Sequence, residues 1–350
     1  MDINSPIIDI VIPNRNKAAF LPRTIASLRN QTETRWRAIV IDGESNDGSL
    51  EIFRQTAQED PRFVIRTAPP ISLSGLSLYR SWNHGLLFVR APFFAVLTSD
   101  DIWEPDWLEQ ALKGLAANPT AMAVVARTRN MNESDQPGDQ SVFSKQFEAA
   151  MGIQGTDPCL LSSRSCTLAA LLLGPIFTTI HSMVLRSSLL DDGLLFTEDT
   201  GFAADIEYYL HTCMLGDILY LPANTAWFRF YPEQASGVVR GMHVHHLWRK
   251  IVERNRKLVS RHTGVPREQI AAVAGDVLNR HQLIMTKPAK QTLRANPLLA
   301  GWQMLQAAAT QPALWAEYVF RHHASKESFF LGYSTKLAQK TIQLLQPKTK

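Results

Sequence analysis

Two adjacent carboxylates, Asp100 and Asp101, are the residues of this chain whose types and spacing most directly suggest chemistry. They follow the apolar run 93–98, which has the length and composition of a buried strand. Open α/β sheets bind their ligands at the carboxyl ends of the strands. Neighbouring carboxylates repel each other, and a divalent cation that also binds phosphate oxygens would relieve this repulsion. Taken alone, the pair fits a solvated turn that caps a helix at 104–117 equally well.

Length and composition indicate a folded protein with two or three core-bearing units. The chain has 350 residues, of which 45% are hydrophobic and 19% are charged. No apolar run approaches the roughly 20 residues of a membrane-spanning helix, and the N-terminal residues lack the pattern of a signal peptide. The three cysteines, Cys159, Cys166 and Cys213, fit neither a disulfide framework nor a zinc motif. We therefore expect a cytoplasmic protein.

Charge divides the chain unevenly. Residues 241–350 contain 17 Lys and Arg against 5 Asp and Glu, whereas residues 1–240 contain 19 against 27. A basic segment of this kind can approach anionic lipid, nucleic acid or an acidic glycan, or it can pack on the acidic part of its own chain. The stretch 329–346 has the pattern of an amphipathic helix. We expect peripheral contact with the inner face of the plasma membrane and no nucleic-acid partner.

Strand and helix patterns alternate through the first 126 residues, which predicts a mostly parallel sheet with helices on both faces. Predicted strands lie at 7–12, 36–41, 62–66, 93–98 and 121–126. Predicted helices lie at 18–30, 49–58, 77–90 and 104–117. Residues 128–158 are polar and predict a loop, and residues beyond 240 predict helices at 243–261, 267–283, 298–308 and 311–323. The patterns divide the chain into 1–126, 127–239 and a basic helical region at 240–350.

The usual phosphate loops are absent from the sequence. No G-x-x-x-x-G-K-[ST] follows a predicted strand, and no G-x-G-x-x-G follows the first one. These absences argue against a P-loop ATPase and against a dinucleotide-dependent dehydrogenase. A phosphate ligand would then bind through a metal held at Asp100 and Asp101.

Three segments in order along the chain resemble family 2 glycosyltransferases. They are IVIPNRNKAAFLPRTIASLRNQTETRWRAIVIDGESNDGSLEI at 10–52, LYRSWNHGLLFVRAPFFAVLTSDDIWEPDWLE at 78–109 and LGDILYLPANTAWFRFYPEQAS at 215–236. The resemblance implies a GT-A fold. It also implies inverting transfer of a sugar from a nucleotide diphosphate donor, with a UDP-sugar favoured, to a saccharide or lipid-linked acceptor in cell-surface polysaccharide or glycolipid synthesis.

The resemblance also implies roles for individual residues. Asp101 would bind Mn²⁺ or Mg²⁺, and Asp100 would lie beside it near the ribose or the metal. The residues that would contact the donor are Pro13, Arg15, Asn16, Asp42, Glu44, Asn83 and Asp100. Two positions depart from the family pattern. Gly43 replaces a second Asp, for which Glu44 could substitute, and Arg15 replaces an aromatic residue, although a guanidinium also stacks on a base.

The resemblance places the catalytic base in the segment FTEDTGFAADIEYYLHTC at 196–213, at Asp205. Ala204 replaces the Glu that often precedes the base, and Glu207 is a nearby alternative. A carboxylate there would take the proton of the acceptor hydroxyl as its oxygen attacks the anomeric carbon. His181 lies in a segment that borders the donor and acceptor sites in the family, although a lone His in an apolar stretch is more often structural.

Two other functions remain open from the sequence. A sugar-phosphate nucleotidyltransferase shares the fold class but needs a glycine-rich loop after the first strand, where this chain has NRNKAAF. A non-catalytic sugar- or nucleotide-binding relative would explain Gly43 and Ala204, but it would not explain why Asp101 and Asp205 are both present.

Overall fold

The fold is a large α/β sheet with helices on both faces, as the sequence predicts. The computed structural model describes residues 5–67, 77–174, 176–177, 179–231, 234, 242–286, 336 and 339–340. The strands are β1 Ile8–Asn14, β2 Trp36–Asp42, β3 Phe63–Thr67, β4 Phe93–Val96, β5 Ile102–Trp103, β6 Ala121–Met131, β7 Pro137–Gln140, β8 Cys159–Leu161, β9 Met183–Arg186 and β10 Asp217–Arg229.

Helices connect most of these strands. They are α1 Leu21–Arg29, α2 Ser49–Glu59, α3 Ser77–Leu86, α4 Trp107–Ala117, α5 Val142–Met151, α6 Ser163–Leu173, α7 Ser188–Asp191, α8 Ala204–Leu215, α9 Met242–Thr263 and α10 Arg267–Thr286. Short 3₁₀ helices lie at Ile180–Ser182 and Glu198–Ala203.

The sheet order is β3-β2-β1-β4-β9-β6-β10-β5, with β7 paired to β6 and β8 paired to β10. The first four strands are parallel to one another. Strand β9 is antiparallel to both β4 and β6, so β6 and its parallel neighbour β10 run in the same direction as β1. The carboxyl ends of six strands therefore share one edge of the sheet.

Alternating side chains of β1 fill two cores, one on each face of the sheet. Ile10 and Ile12 join a core that α1 and α4 cover, whereas Val11 joins the core under α3, α6 and α8. Asp9 is the buried charged residue of β1. Arg37 binds its carboxylate with two hydrogen bonds of 2.8 Å, and this pairing compensates the buried charge.

The loop predicted for 128–158 is wrong in part. Strand β6 continues to Met131 because β10 pairs with it as far as Arg229, and β7 and α5 follow. Pairing with a distant strand is not visible in local polarity. The helices predicted at 298–308 and 311–323 lie outside the described residues. So does the amphipathic stretch 329–346, apart from residues 336, 339 and 340.

Helices α9 and α10 of the basic region pack into the core beneath the sheet. Trp248 and Ile251 are buried there, and the Trp248 indole donates a hydrogen bond of 3.2 Å to the Leu171 carbonyl oxygen. An ion pair also joins α9 to the preceding part of the chain, because the Lys250 ammonium lies 3.0 Å from the Asp199 carboxylate. The boundary near residue 240 therefore does not separate two hydrophobic cores.

A chain that ends at residue 240 should not fold cooperatively. It would lose the α9 side chains that pack on α6 and α8. Each large apolar side chain that is fully buried contributes about 1.5–3 kcal/mol to the stability of the fold. A few such losses equal the whole stability of a typical domain. Thermal unfolding followed by circular dichroism should show a broad transition or none. A sharp transition close to that of the full chain would contradict the packing of α9.

No helix within the described ranges combines the length and the apolar character that are needed to cross a bilayer.

Candidate active site

The carboxyl edge of the sheet brings the sequence-predicted acidic residues together. Asp100 and Asp101 follow β4, and the antiparallel β9 begins at the same edge, directly after His181. Helix α8 precedes the parallel strand β10, so its N-terminal residue pair, Ala204 and Asp205, also lies at this edge. One edge thus holds both the predicted metal-binding pair and the predicted base.

Asp101 is buried, and each of its carboxylate oxygens accepts a hydrogen bond. Its side chain is 1% exposed. The Arg229 backbone N–H donates to Oδ1 at 2.7 Å, and Oδ2 accepts a hydrogen bond from the Thr98 hydroxyl. The His181 Nδ1 lies 3.0 Å from the same Oδ2. Both oxygens therefore contact protein groups, and Asp101 is less accessible to a cation than the sequence analysis assumed.

Asp100 presents the more open carboxylate. Its Oδ2 accepts a hydrogen bond of 2.5 Å from the Tyr231 hydroxyl and lies 3.0 Å from the Lys17 Nζ. Its Oδ1 accepts no hydrogen bond from the described residues. Burial, followed by the charge of Asp100, raises the pKa of the Tyr231 phenol well above its usual value, so that hydroxyl stays a donor.

A divalent cation fits this edge through one carboxylate oxygen. The described residues contain no cluster of three or more His, Cys, Asp or Glu that could enclose a metal by themselves. Mg²⁺-type sites often have one or two protein carboxylates and complete their shell with substrate phosphates and water. The Asp100 Oδ1 would supply one such ligand, whereas both Asp101 oxygens already accept hydrogen bonds from the protein.

Arg229 holds the turn that carries Asp100 and Asp101. Its side chain is fully buried, and its Nε donates to the Asp100 carbonyl oxygen at 2.6 Å. One of its terminal nitrogens forms an ion pair with Asp135, and the ring of Phe20 lies 4.9 Å from the guanidinium. The acids after β4 are thus held by the last residue of β10, which is 129 positions away.

His181 supports Asp101 from within the core. It is fully buried, and its Nδ1 also lies 2.7 Å from the Thr179 hydroxyl. The Trp103 indole donates to the His181 carbonyl oxygen at 2.7 Å. These contacts assign His181 a structural role beside the site.

A second polar network joins the ends of β1 and β2. Asp42 accepts from the Asn14 side-chain amide at 2.7 Å, from the Ser45 backbone N–H at 2.9 Å and from the Ser45 hydroxyl at 2.7 Å. Pro13 is buried within β1, opposite Ile41. Asp42 and Pro13 therefore shape this end of the sheet, and the carboxylate of Asp42 is already engaged by the protein.

Three predicted donor contacts remain exposed next to this network. Arg15, Asn16 and Glu44 are exposed, and the last two have positive φ values of 52° and 59°. Such backbone conformations are uncommon for residues other than glycine and are often found at functional sites. The Asn16 side chain accepts from the Asn46 backbone N–H at 2.9 Å, which joins the two turns. Arg15 and Glu44 are placed to meet a ligand from solvent.

Asn83 is a positioning residue in this structure rather than the donor contact that the sequence analysis expected. Its amide donates to the Phe196 carbonyl oxygen and accepts from the Phe196 N–H, both at 2.9 Å. Two residues later, Gly85 allows α3 to approach β1 closely, because a Cβ there would overlap the Val11 side chain. Together these contacts fix the segment that leads to Asp205.

Asp205 has the electrostatics of a base poised near neutral pH. Burial raises its pKa to about 7, although the N–H of Ile206 donates to its Oδ1 at 2.8 Å. The side chain itself is half-buried, so a proton can reach it. Tyr79 and Tyr209 line its surroundings, and burial followed by the Asp205 charge raises the pKa of both phenols.

Glu207 points away from the site and binds α9. It is 1% exposed and forms a two-point ion pair with Arg254, and the Asn255 side chain donates to it at 2.6 Å. Arg254 also binds Asp199 at 2.9 Å. This placement removes Glu207 as an alternative base and makes it part of the contact between α8 and α9.

The residues that sequence reasoning missed are Lys17, Thr98, Arg229 and Tyr231. Each contacts Asp100 or Asp101, and they come from three parts of the chain: the turn after β1, the segment after β4 and the end of β10. The one available signal was their position, since Lys17 lies in the turn after β1 and Tyr231 in the segment that resembles the end of the family domain.

Comparison with known proteins identifies a family for the first half of the chain. Residues 9–173 match the model of the family described as Glycosyl transferase family 2. These residues belong to glycosyl transferase family 2. The chain is therefore a glycosyltransferase, as the sequence predicts. An uncharacterized glycosyltransferase of Haemophilus influenzae is 25% identical over 236 residues, which cover 67% of this chain and 69% of that protein.

Two solved structures share the fold. Staphylococcus aureus TarS 1–349 in complex with UDP-GlcNAc superposes with a TM-score of 0.57 at 15% identity, over 97% of this chain and 90% of TarS. The mannosyltransferase PcManGT from Pyrobaculum calidifontis, in complex with GDP-Man and Mn²⁺, gives a TM-score of 0.54 at 18% identity over 99% and 89%. The likeness to both structures confirms the predicted fold class.

Proposed function

We propose that this glycosyltransferase moves a sugar from a nucleoside diphosphate donor to an acceptor hydroxyl with inversion at the anomeric carbon. The observation that carries the proposal is that two carboxylates with different properties lie at the same edge of the sheet. Asp100 keeps an oxygen free for a cation, and Asp205 has a pKa of about 7. Donor activation and proton removal need these two different properties.

The nucleoside would lie over the turns after β1 and β2, beside Arg15 and Glu44. A guanidinium can stack on a base, and a carboxylate can accept from its N–H groups. We favour a UDP-sugar and keep a GDP-sugar as the second candidate. TarS is found in complex with UDP-GlcNAc, and PcManGT in complex with GDP-Man.

Asp205 would act on the acceptor. Its carboxylate takes the hydroxyl proton as the acceptor oxygen forms a bond to the anomeric carbon. The bond between that carbon and the diphosphate oxygen breaks, and the nucleoside diphosphate leaves with the electron pair. Attack from the face opposite the leaving group inverts the configuration at the anomeric carbon.

Asp100 is the residue that would hold Mn²⁺ or Mg²⁺ at the diphosphate. When bound, such a cation stabilises the negative charge that develops on the leaving diphosphate. Asp101, Arg229 and His181 act through Asp100, since they fix the turn that carries it.

The acceptor would be a saccharide or a lipid-linked saccharide in cell-surface polysaccharide or glycolipid synthesis, at the cytoplasmic face of the membrane. The positive balance of residues 241–350 supports contact with anionic lipid. Part of that charge already serves the fold, because Lys250 and Arg254 bind Asp199. Membrane contact then depends on the remaining cations of the region.

Transfer should depend on pH through Asp205. The base acts as a carboxylate, so kcat should rise about tenfold per pH unit below its pKa and level off above about pH 7. Initial rates measured between pH 5 and 9 in buffers of constant ionic strength test this expectation. A profile that is flat between pH 5 and 7 would contradict Asp205 as the base if chemistry limits the rate.

Binding measurements test the donor class. Calorimetric titrations of UDP, GDP and ADP, each with and without Mn²⁺, should give binding of UDP or GDP that strengthens when Mn²⁺ is present. The absence of binding to every nucleoside diphosphate would contradict the proposed function. Binding of a nucleoside triphosphate together with a sugar phosphate, and release of diphosphate, would favour a nucleotidyltransferase instead.

A further inference from the structure

The turn after β1 carries a lysine ammonium to the free edge of the acidic pair. The Lys17 Nζ lies 3.0 Å from the Asp100 Oδ2 and donates a hydrogen bond to the Tyr231 hydroxyl. It also lies 4.8 Å from the centre of the Tyr231 ring, which packs on Phe20 at 4.9 Å. Asp100, which follows β4, and Tyr231, which follows β10, thus both contact the Lys17 ammonium.

The backbone of this turn is held independently of the ammonium. The Lys17 N–H donates to the Ser49 hydroxyl at 2.9 Å, and the Ala18 N–H donates to Asp47 at 2.9 Å. Ser49, the first residue of α2, and Asp47, two positions before it, therefore fix the turn, and the side chain of Lys17 is not needed to close it. Its contact with Asp100 calls for a different explanation.

Lys17 differs from the other cation at the acidic pair in its access to solvent. Its side chain is 23% exposed, whereas that of Arg229 is fully buried and bound to Asp135 and to backbone carbonyl oxygens. A flexible ammonium at the rim can turn from a carboxylate to an entering phosphate, which lysine binds as a point charge. The buried guanidinium cannot make that change.

We propose that Lys17 is a diphosphate-binding residue of the donor site, which pairs with Asp100 in the empty enzyme and turns to the diphosphate when the donor binds. The inference rests on the proposed function. It adds a source of donor affinity that needs no metal. It also explains why a residue with positive charge stands in a turn that has no glycine-rich phosphate loop.

The test compares a nucleoside diphosphate with its nucleoside in the presence of EDTA. We expect wild-type protein to bind UDP more tightly than uridine, or GDP more tightly than guanosine. Lys17→Met should weaken diphosphate binding about tenfold to a hundredfold, the usual effect of losing one hydrogen bond to a charged group, and leave nucleoside binding unchanged. Lys17→Arg should retain most of the preference, because it keeps the charge.

Matched variants separate this role from a structural one. Lys113→Met removes an exposed lysine that binds Glu109 at 2.6 Å on α4 and should change neither affinity. Lys17→Gln serves as a second neutral variant if Lys17→Met does not fold. Equal weakening of the diphosphate and the nucleoside would show that Lys17 only braces the turn. Unchanged affinities would also overturn the inference while the proposed function stands, as would wild-type protein that binds UDP or GDP only when Mn²⁺ is present. Wild-type protein that binds no nucleoside diphosphate either in EDTA or with Mn²⁺ would overturn both.

Discussion

Asp205→Asn should lower the rate of sugar transfer by about 10²-fold or more while donor affinity changes little. The substitution is nearly isosteric and keeps an oxygen that can accept from the Ile206 N–H. It removes the group that takes the acceptor proton, and general base catalysis typically contributes 10²–10⁴-fold. Rates of transfer to water or to an acceptor, measured together with donor affinity by calorimetry, give the two quantities.

The same variant should be more stable than the wild-type protein above neutral pH. Folding raises the pKa of Asp205 to about 7 from an ordinary value near 4, so the native state binds the proton more tightly than the unfolded state does. Wild-type stability therefore falls as pH rises from about 4 to 7, and an asparagine escapes this loss. A higher melting temperature at pH 8, which disappears near pH 4, would show that lost activity does not reflect unfolding.

Two carboxylate variants serve as controls for Asp205→Asn. Asp192→Asn changes an exposed carboxylate just after α7 and should affect neither rate nor stability. Glu207→Gln should reduce the free energy of unfolding by roughly 1–3 kcal/mol, since it weakens the buried pair with Arg254, but retain most of kcat. An active Asp205→Asn together with a folded, inactive Glu207→Gln would show that the wrong carboxylate has been chosen.

Asp100→Asn should eliminate the part of donor affinity that depends on Mn²⁺. The variant removes the charge of Asp100, whose Oδ1 accepts no hydrogen bond from the described residues. It keeps the contact between the Asp100 carbonyl oxygen and Arg229. We expect the protein to stay folded, because an asparagine keeps an oxygen that can accept from the Tyr231 hydroxyl, and Lys17 is exposed enough to be solvated by water. Calorimetry of UDP and GDP with and without Mn²⁺ measures the loss.

Asp101→Asn gives the matched comparison. It alters a carboxylate that is 1% exposed and accepts hydrogen bonds from Thr98 and Arg229, so it should lower the melting temperature. The increase in donor affinity that Mn²⁺ causes should survive in the protein that remains folded. An Asp101→Asn variant with wild-type stability and no response to Mn²⁺ would instead identify Asp101 as the metal ligand.

Much of the fold was predictable because its signals are local. Apolar runs of strand length alternate with amphipathic helices in the first 126 residues, and the structure confirms the resulting α/β sheet. The extension of β6 to Met131 was not predictable, since it depends on pairing with β10 about 90 residues later. The packing of α9 on α6 and α8 likewise depends on buried residues, such as Trp248, whose partners are distant in sequence.

The sequence predicted which residues form the candidate site but not the directions of their side chains. Adjacent residues in a turn can point to opposite sides, and the contact between Asp101 and the Arg229 N–H shows which of the two carboxylates the end of β10 binds. The partner of Asn83 is the backbone of Phe196, which is 113 positions away. Lys17 and Tyr231 lie 214 positions apart, so no local pattern could predict that they meet.

Release of nucleoside diphosphate from UDP- and GDP-sugars is the measurement that decides whether this edge of the sheet performs sugar transfer. Wild-type protein with Mn²⁺ should release UDP or GDP from at least one sugar donor, to water or to an added acceptor. Asp100→Asn and Asp205→Asn should each lower that rate by about 10²-fold or more, the first with weaker donor binding and the second without it. Equal rates in the wild-type protein and both variants would contradict the assignment of these two carboxylates.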